Sequence, residues 1–407
     1  MNRGARWVAG VVALAAGIVS CQEQLTSPAQ CPELCPGGTP TVYDTVLSAV
    51  QGGDESVPGY VTSGGGLALL TSNGLPASED RALYEFSSRA DSITVRDTAR
   101  GYTVDSVGLA LTLVARDTLV TGLKVFLYRL PPGIEPDTAT FAGVDPQLTA
   151  SALIDSIIVP DSVHSGRVST MLRGADADRV AIPPGTGGVL AMGLRIAADA
   201  PTGIRVGSVG GGTAATFTTF VTVDVPDTAT LIAHQLLLRG TRLNGFVTET
   251  PYVAAPGTLL IGGEPSSRGF VRFSLPARIK DSATVVRATL EILPAAPIPG
   301  LPNDPAFLEG RAVLSDLGPK SPLTVDPALI VQATLPLGST DTMRLDVTRM
   351  VKLWQTSPER PQEVALLLKP EAASFTRALF GSTSPLSPVG APQLHVTYLL
   401  KFPFESP

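Results

Sequence analysis

From Tyr43 onward, apolar residues fall in short β-branched or aliphatic runs bounded by Gly, Pro, Asp-Thr and Asp-Ser pairs. Val271, Phe273 and Leu275 alternate with Arg272 and Ser274; Leu394, Val396 and Tyr398 alternate with His395 and Thr397. A period of two puts one set of side chains on a buried sheet face, and short strands separated by frequent turn signals predict antiparallel β-sandwich structure. Asp-Thr recurs at 44, 97, 117, 137, 227 and 341, where the acid can bond its own backbone and the β-branched residue can open a strand. One stretch has a different period. In L-D-V-T-R-M-V-K-L-W-Q-T, Val347, Met350, Val351 and Trp354 share one helical face, with Asp346 placed to cap the start and Pro358 beyond the end. Trp354 reads as core rather than as a sugar platform.

The chain also reads as duplicated. R-A-L-Y-E-F-S at 81–87 matches R-G-F-V-R-F-S at 268–274, each after an apolar strand that ends in a glycine turn. In the same order, 107–113 answers 286–292, 189–194 answers 364–369, and the G-S pair at 207–208 answers 381–382. The closing strands, with Val221, Val223 and Val225 in one and Leu394, Val396 and Tyr398 in the other, share an inward face only if a residue is gained or lost between copies. The expected units are 42–226 and 227–402, meeting near Val225 to Thr230.

In the second unit, R-G-F-V-R-F-S-L-P, A-T-L-E-I, L-D-V-T-R-M-V-K-L-W-Q, V-A-L-L-L-K and the G-S turn before P-Q-L-H-V-T-Y resemble the DNRLRE domain of bacterial and archaeal surface proteins. The resemblance implies a jelly-roll sandwich akin to carbohydrate-binding modules, some of which bind acidic polysaccharides. It covers 227–402; the first unit lacks the D-V-T helix and joins only through the duplication. The fold class expected is therefore all-β, two tandem jelly-roll-like antiparallel β-sandwiches with one short helix in the second. The matched positions are apolar or turn-forming, so they bear on fold more than on ligand.

Residues 1–20 have the parts of a secretory signal: Arg3 and Arg6, an apolar run from Trp7 to Val19, then small residues. I-V-S-C at 18–21 resembles the lipobox of bacterial lipoproteins, which implies a lipid on Cys21, a tether over 21–41 and a place in the cell envelope. Gln22, not Asp, leans that expectation toward the outer membrane. Later apolar runs are too short to span a bilayer. Cys31 and Cys35 are expected to close a small disulfide loop in an oxidising compartment, with two free thiols as the alternative; a metal would need two further soft ligands nearby. Residues 403–407 read as a tail.

Composition narrows the function. Lys+Arg 30 against Asp+Glu 36 leaves a net charge of −6, with no basic block to bind nucleic acid. Gly 40 and Pro 36 disfavour long helices, and 44% hydrophobic residues exclude a mainly disordered chain. H-E-x-x-H, G-x-S-x-G and Walker motifs are absent, His164, His234 and His395 are scattered, and no enzyme or cofactor is expected. The glycine cluster at 207–213 reads as a flexible loop, and Asp176 with Asp178 as a solvated turn rather than a calcium site. The expected role is a non-catalytic binding protein for a cell-surface or extracellular polysaccharide. The alternatives are a spacer that binds other envelope proteins, favoured by the scarcity of exposed Trp, and a polysaccharide lyase or hydrolase. Candidate ligand contacts are Arg268 and Arg272 on the outward side of one strand and Arg287 on its partner, with ordinary surface ion pairs to Glu264 or Glu291 as the competing reading.

Overall fold

The computed structural model describes residues 41–401 apart from 60, 76–78, 88–89, 91, 96, 132, 181–188, 224–232, 250–252, 265 and 303. The expectations for the leader, Cys21, Cys31, Cys35, the junction at 225–230 and the 403–407 tail lie outside the described residues. Among those described, no helix is long and apolar enough to cross a membrane.

The chain opens with β1 (Val42–Ser48) and β2 (Asp54–Pro58), which we call the arm. The first copy continues through β3 (Ala68–Asn73), β4 (Asp80–Phe86), a hairpin of β5 (Ile93–Val95) and β6 (Thr98–Arg100), β7 (Tyr102–Arg116) and β8 (Lys124–Arg129). It ends with β9 (Leu153–Ile158), β10 (Gly166–Arg173), β11 (Leu190–Ala197), β12 (Thr202–Gly207) and β13 (Thr216–Val223). The second copy starts at the long β14 (Ala233–Thr248) and continues through β15 (Thr258–Gly262), β16 (Ser267–Arg272), β17 (Ala283–Ile292), β18 (Phe307–Ala312) and β19 (Ile330–Thr334). It closes with β20 (Met343–Asp346), β21 (Glu363–Lys369), β22 (Arg377–Gly381) and β23 (Gln393–Leu400).

These strands build two antiparallel β-sandwiches. The first runs β3-β12-β7-β13-β14-β4-β11-β8-β9, with β10 on the other edge of β7. The second packs β1-β23-β17-β20 against β19-β18-β21-β16-β15-β22, with β2 beside β16. Each has its own core: Tyr84, Phe86, Leu109, Leu111 and Phe217 are central in the first, and Val271, Leu290, Trp354, Leu366 and Phe380 in the second.

The pairings match strand for strand. β4·β11·β8·β9 corresponds to β16·β21·β18·β19, β3·β12 to β15·β22, and β10·β7·β13 to β20·β17·β23. Both closing strands meet their partner at a bulge, Asp105 being skipped opposite Phe220/Val221 and Val286 opposite Thr397/Tyr398. The serine of each G-S pair donates to a glycine carbonyl ahead of the matching strand: Ser208 Oγ to Gly66 at 2.7 Å, Ser382 Oγ to Gly257 at 2.7 Å. Two matches need a shift. Ser106 takes the place of Arg287, so 107–113 and 286–292 correspond two residues away from their sequence alignment. Met192 lies opposite Tyr84 and Val364 opposite Val271, so 189–194 and 364–369 correspond three residues away from their sequence alignment.

The unit boundaries read from the sequence need correcting in one respect: the leading strands are exchanged. β14 pairs through Ala233–Gly240 with β13 and, past a bulge between Thr241 and Leu243, through Thr241–Thr248 with β4, both in the first sandwich. The arm does the reciprocal job. β1 pairs with β23 over seven residues, and β2 with β16 over five, both in the second sandwich. Strand alternation fixes which face is buried but carries no information about which copy supplies the neighbour.

The helix expected at 348 is α4 (Thr348–Thr356); Met350, Val351 and Trp354 are buried. Asp346 Oδ1 accepts from the Thr348 backbone N–H at 3.0 Å, but the cap position expected for it is held by Val347, which makes no side-chain cap bond. It is not the only helix: α1 (Phe141–Val144), α2 (Ala175–Val180) and α3 (Ala277–Ser282) are single turns between strands, too short for a periodic signal.

The sandwiches are docked. Leu301 and Phe375, both from connections in the second copy, enter the core of the first. A Cβ on Gly203 would come within 2.7 Å of the Phe375 ring, so glycine leaves room for it. Arg205 meets the buried Asp304 at 2.7 Å across the same contact and donates to the Ala373 carbonyl.

Candidate binding face

The outer face of β1-β23-β17-β20 is polar. Alternation turns Ala288, Leu290 and Ile292 into the core and leaves Arg287, Thr289 and Glu291 on the other side of β17. On β23, Leu394, Val396 and Tyr398 point inward, which sends His395 and Thr397 outward. A depression of about 330 Å³ on this face is lined by Asp44, Arg287, Glu291, Arg344, His395 and Thr397, among others.

The charges are interleaved. Arg344 Nε lies 2.7 Å from Glu291 Oε1, and His395 Nε2 lies 3.2 Å from Glu291 Oε2. Thr397 Oγ1 donates to Asp44 Oδ1 at 2.5 Å. Arg287 is exposed and makes no ion pair within salt-bridge distance among the described residues. Its charge acts at a distance: Asp346 is held below the ordinary carboxylate range by the Thr348 hydroxyl first and by Arg287 in a smaller part. The face thus offers forked N–H donors beside carboxylate and hydroxyl acceptors, an arrangement suited to hydroxyl groups. Two arginines are opposed by Asp44, Glu291 and Asp346, so a polyanion finds no net positive charge there.

The equivalent face of the first sandwich is built differently. Pairing places Ser106, Gly108 and Ala110 where the second copy has Arg287, Thr289 and Glu291. Phe220 pairs with Leu236, and Thr218 with Leu238, where the second copy has Thr397 with Asp44 and His395 with Val46. Leu236, Leu238 and Met171 are exposed. The same scaffold therefore stands without the charged array, which is not a requirement of the fold.

Of the sequence candidates, Arg287 lies on this face and Arg268 and Arg272 do not. Arg268 forms a two-pronged pair with Glu371 at 2.7 and 2.9 Å, with only 15% of its side chain exposed. Arg272 sits between Asp316 at 2.6 Å and Glu363 at 3.5 Å. Burial pushes the Glu363 carboxyl up, against the opposing pull of Arg272. The outward side of β16 is covered by connections: Phe270 is 2% exposed beneath Val313 and Leu323. Of the partners anticipated for the arginines, Glu291 goes to Arg344 and His395 instead.

The repeated arginine of the first copy has the same job. Arg81 is 6% exposed and pairs with Asp145 and Glu79, each at 2.7 Å. Burial raises the Asp145 carboxyl, but hydrogen bonds from Arg195 and Arg81 outweigh it and hold the group below its ordinary range. Arg344 and Asp44 were not singled out as contacts from sequence, and Glu291 only as an ion-pair partner; the signal available was their shared parity with Arg287 and His395 on paired strands.

Asp176 and Asp178 lie on α2, and no group of three or more acidic, His or Cys side chains able to hold a metal occurs among the described residues. The glycine cluster has no helix behind it and closes on itself through Gly211 N–H to Ser208 Oγ at 3.0 Å. No protein-family model and no curated protein matches the chain. The resemblance to the DNRLRE domain rests on the motif residues quoted above.

Proposed function

We propose that this chain is an envelope-anchored, non-catalytic binding protein whose second sandwich holds a polysaccharide across the β1-β23-β17-β20 face. The observation that carries this reading is the contrast between equivalent faces: one copy sets Leu236, Leu238, Met171 and small residues beside Arg167 and Arg173 of β10, the other an interleaved array of Arg287, Arg344, His395, Glu291 and Asp44. The charge balance of that array favours a neutral, hydroxyl-rich polymer over the uronates implied by the family resemblance. The anchor is the lipid expected on Cys21.

The test is a glycan array probed with the full chain, carrying neutral polymers and uronates side by side. Retention on neutral polymers is expected, falling about tenfold or more in Arg287→Ala and Arg344→Ala, since a charge-assisted hydrogen bond is worth ~1.5–3 kcal/mol. Retention on no glycan overturns the reading. A second reading, a spacer that binds envelope proteins, is supported by the exposed Leu236, Leu238 and Met171 on the first sandwich.

A further inference from the structure

The exchange of leading strands means that the arm is held in a groove belonging to the other half of the chain. Pro58 ends the arm, and its nearest partner strand in sequence, β16, begins at Ser267. The contacts that hold it are those of a separate strand added to β23 and β16, whatever chain carries that strand. Vacating the groove leaves the N–H and C=O edge of β23 open, and an open edge recruits another strand.

The two exchanged strands are unequally held. β14 buries Asn244, Phe246 and Val247, and Phe246 enters the core of the first sandwich. No residue of β1 or β2 is fully buried; Tyr43 stacks on Tyr398 at 5.6 Å, Leu47 packs against the core edge, and the small Ala49 between the two strands is the arm's contribution to the second core. The arm is therefore the strand that opens first. Its link to the first sandwich is pinned at Gly64 and Gly66, whose carbonyls accept from Asn244 Nδ2 and Ser208 Oγ, so the turning point lies ahead of them, at Gly59 with φ +75°. Such a link permits the arm to swing.

We propose that the arm is exchangeable between copies: a second copy of this chain docks by placing its own Val42–Pro58 in the groove of β23 and β16. The register is the one already present, so the exchanged complex repeats the closed contacts. Exchange in one direction links chains head to tail, and exchange in both directions closes a dimer.

Asp44 and Thr397 face each other across β1 and β23. In full chains whose three native cysteines are replaced by Ser, one copy carries Asp44→Cys and another, of different tag length, carries Thr397→Cys. After mixing and mild oxidation, a mixed disulfide dimer is expected; while monomer dominates, its ratio to monomer should rise about tenfold for a tenfold rise in concentration. A chain carrying both substitutions should close on itself when oxidised at high dilution and should then exchange with nothing. If that double variant closes but the two single variants give no mixed dimer above the Asp44→Cys homodimer background, exchange between copies is refuted. If the double variant does not close, the register on which the proposal stands is wrong.

Discussion

Removing the Arg268 side chain should cost stability rather than binding. Its guanidinium is the two-pronged partner of Glu371, whose side chain is 7% exposed, so Arg268→Ala strands a carboxylate in a nearly closed site. Breaking a buried ion pair from one side costs ~3–5 kcal/mol. The 15% exposure of Arg268 lets some water reach the orphaned charge, which argues for the lower end, about 3 kcal/mol. At ~2–4 °C per kcal/mol for a unit of this size, the melting temperature should fall by about 6–12 °C at neutral pH. Glu371 also anchors the connection that carries Ala373 and Phe375 into the first sandwich, so loosening reaches the docking contact. Scanning calorimetry on the full chain measures the loss. The double variant Arg268→Ala/Glu371→Gln removes the stranded charge and should recover part of it. A single variant that melts with the unmodified chain would refute the argument and return Arg268 to the free surface.

Phe246→Ala should lower amide protection in the first sandwich, although the residue belongs to the second copy; at ~3–5 kcal/mol the loss in β4 and β11 is about a hundredfold or more by hydrogen exchange, with β17 and β23 less affected. Glu363, raised by burial, contributes full stability only in acid, below the ordinary carboxylate range, and loses it as pH rises through its raised folded value. Glu363→Gln should therefore raise the melting temperature at neutral pH, with the gain vanishing in acid; a neutral or destabilising effect at neutral pH contradicts this.

The period-two pattern exposed the sandwiches, and the Val347, Met350, Val351 and Trp354 stripe exposed the helix, because both report which side of an element is apolar. The collinear motifs exposed the duplication, since copies that keep a strand plan keep its inward residues and glycine turns. What stayed hidden was long-range. Arg268 has outward parity, as read, but the 313–324 and 370–376 connections cover that side of β16, and parity says nothing about what lies on top. Arg287 shares its parity class with Arg344 and Asp44, residues about 57 and 243 positions away in sequence that only the pairing brings together. The reciprocal exchange was invisible for the same reason: β1 and the first half of β14 pair with equivalent edges, so either copy could have kept its own.

That exchange underlies the correspondence between the two outer faces, and cutting the chain tests it most directly. A protease site placed between residues 226 and 227 separates the copies covalently. With the leading strands exchanged, the N-terminal piece keeps β1 and β2 in the second sandwich and the C-terminal piece keeps β14 in the first. The cleaved protein should elute in native size-exclusion chromatography as one species at the position of the uncut chain and separate only in denaturant. Two independently folded half-size species in native buffer would contradict the account.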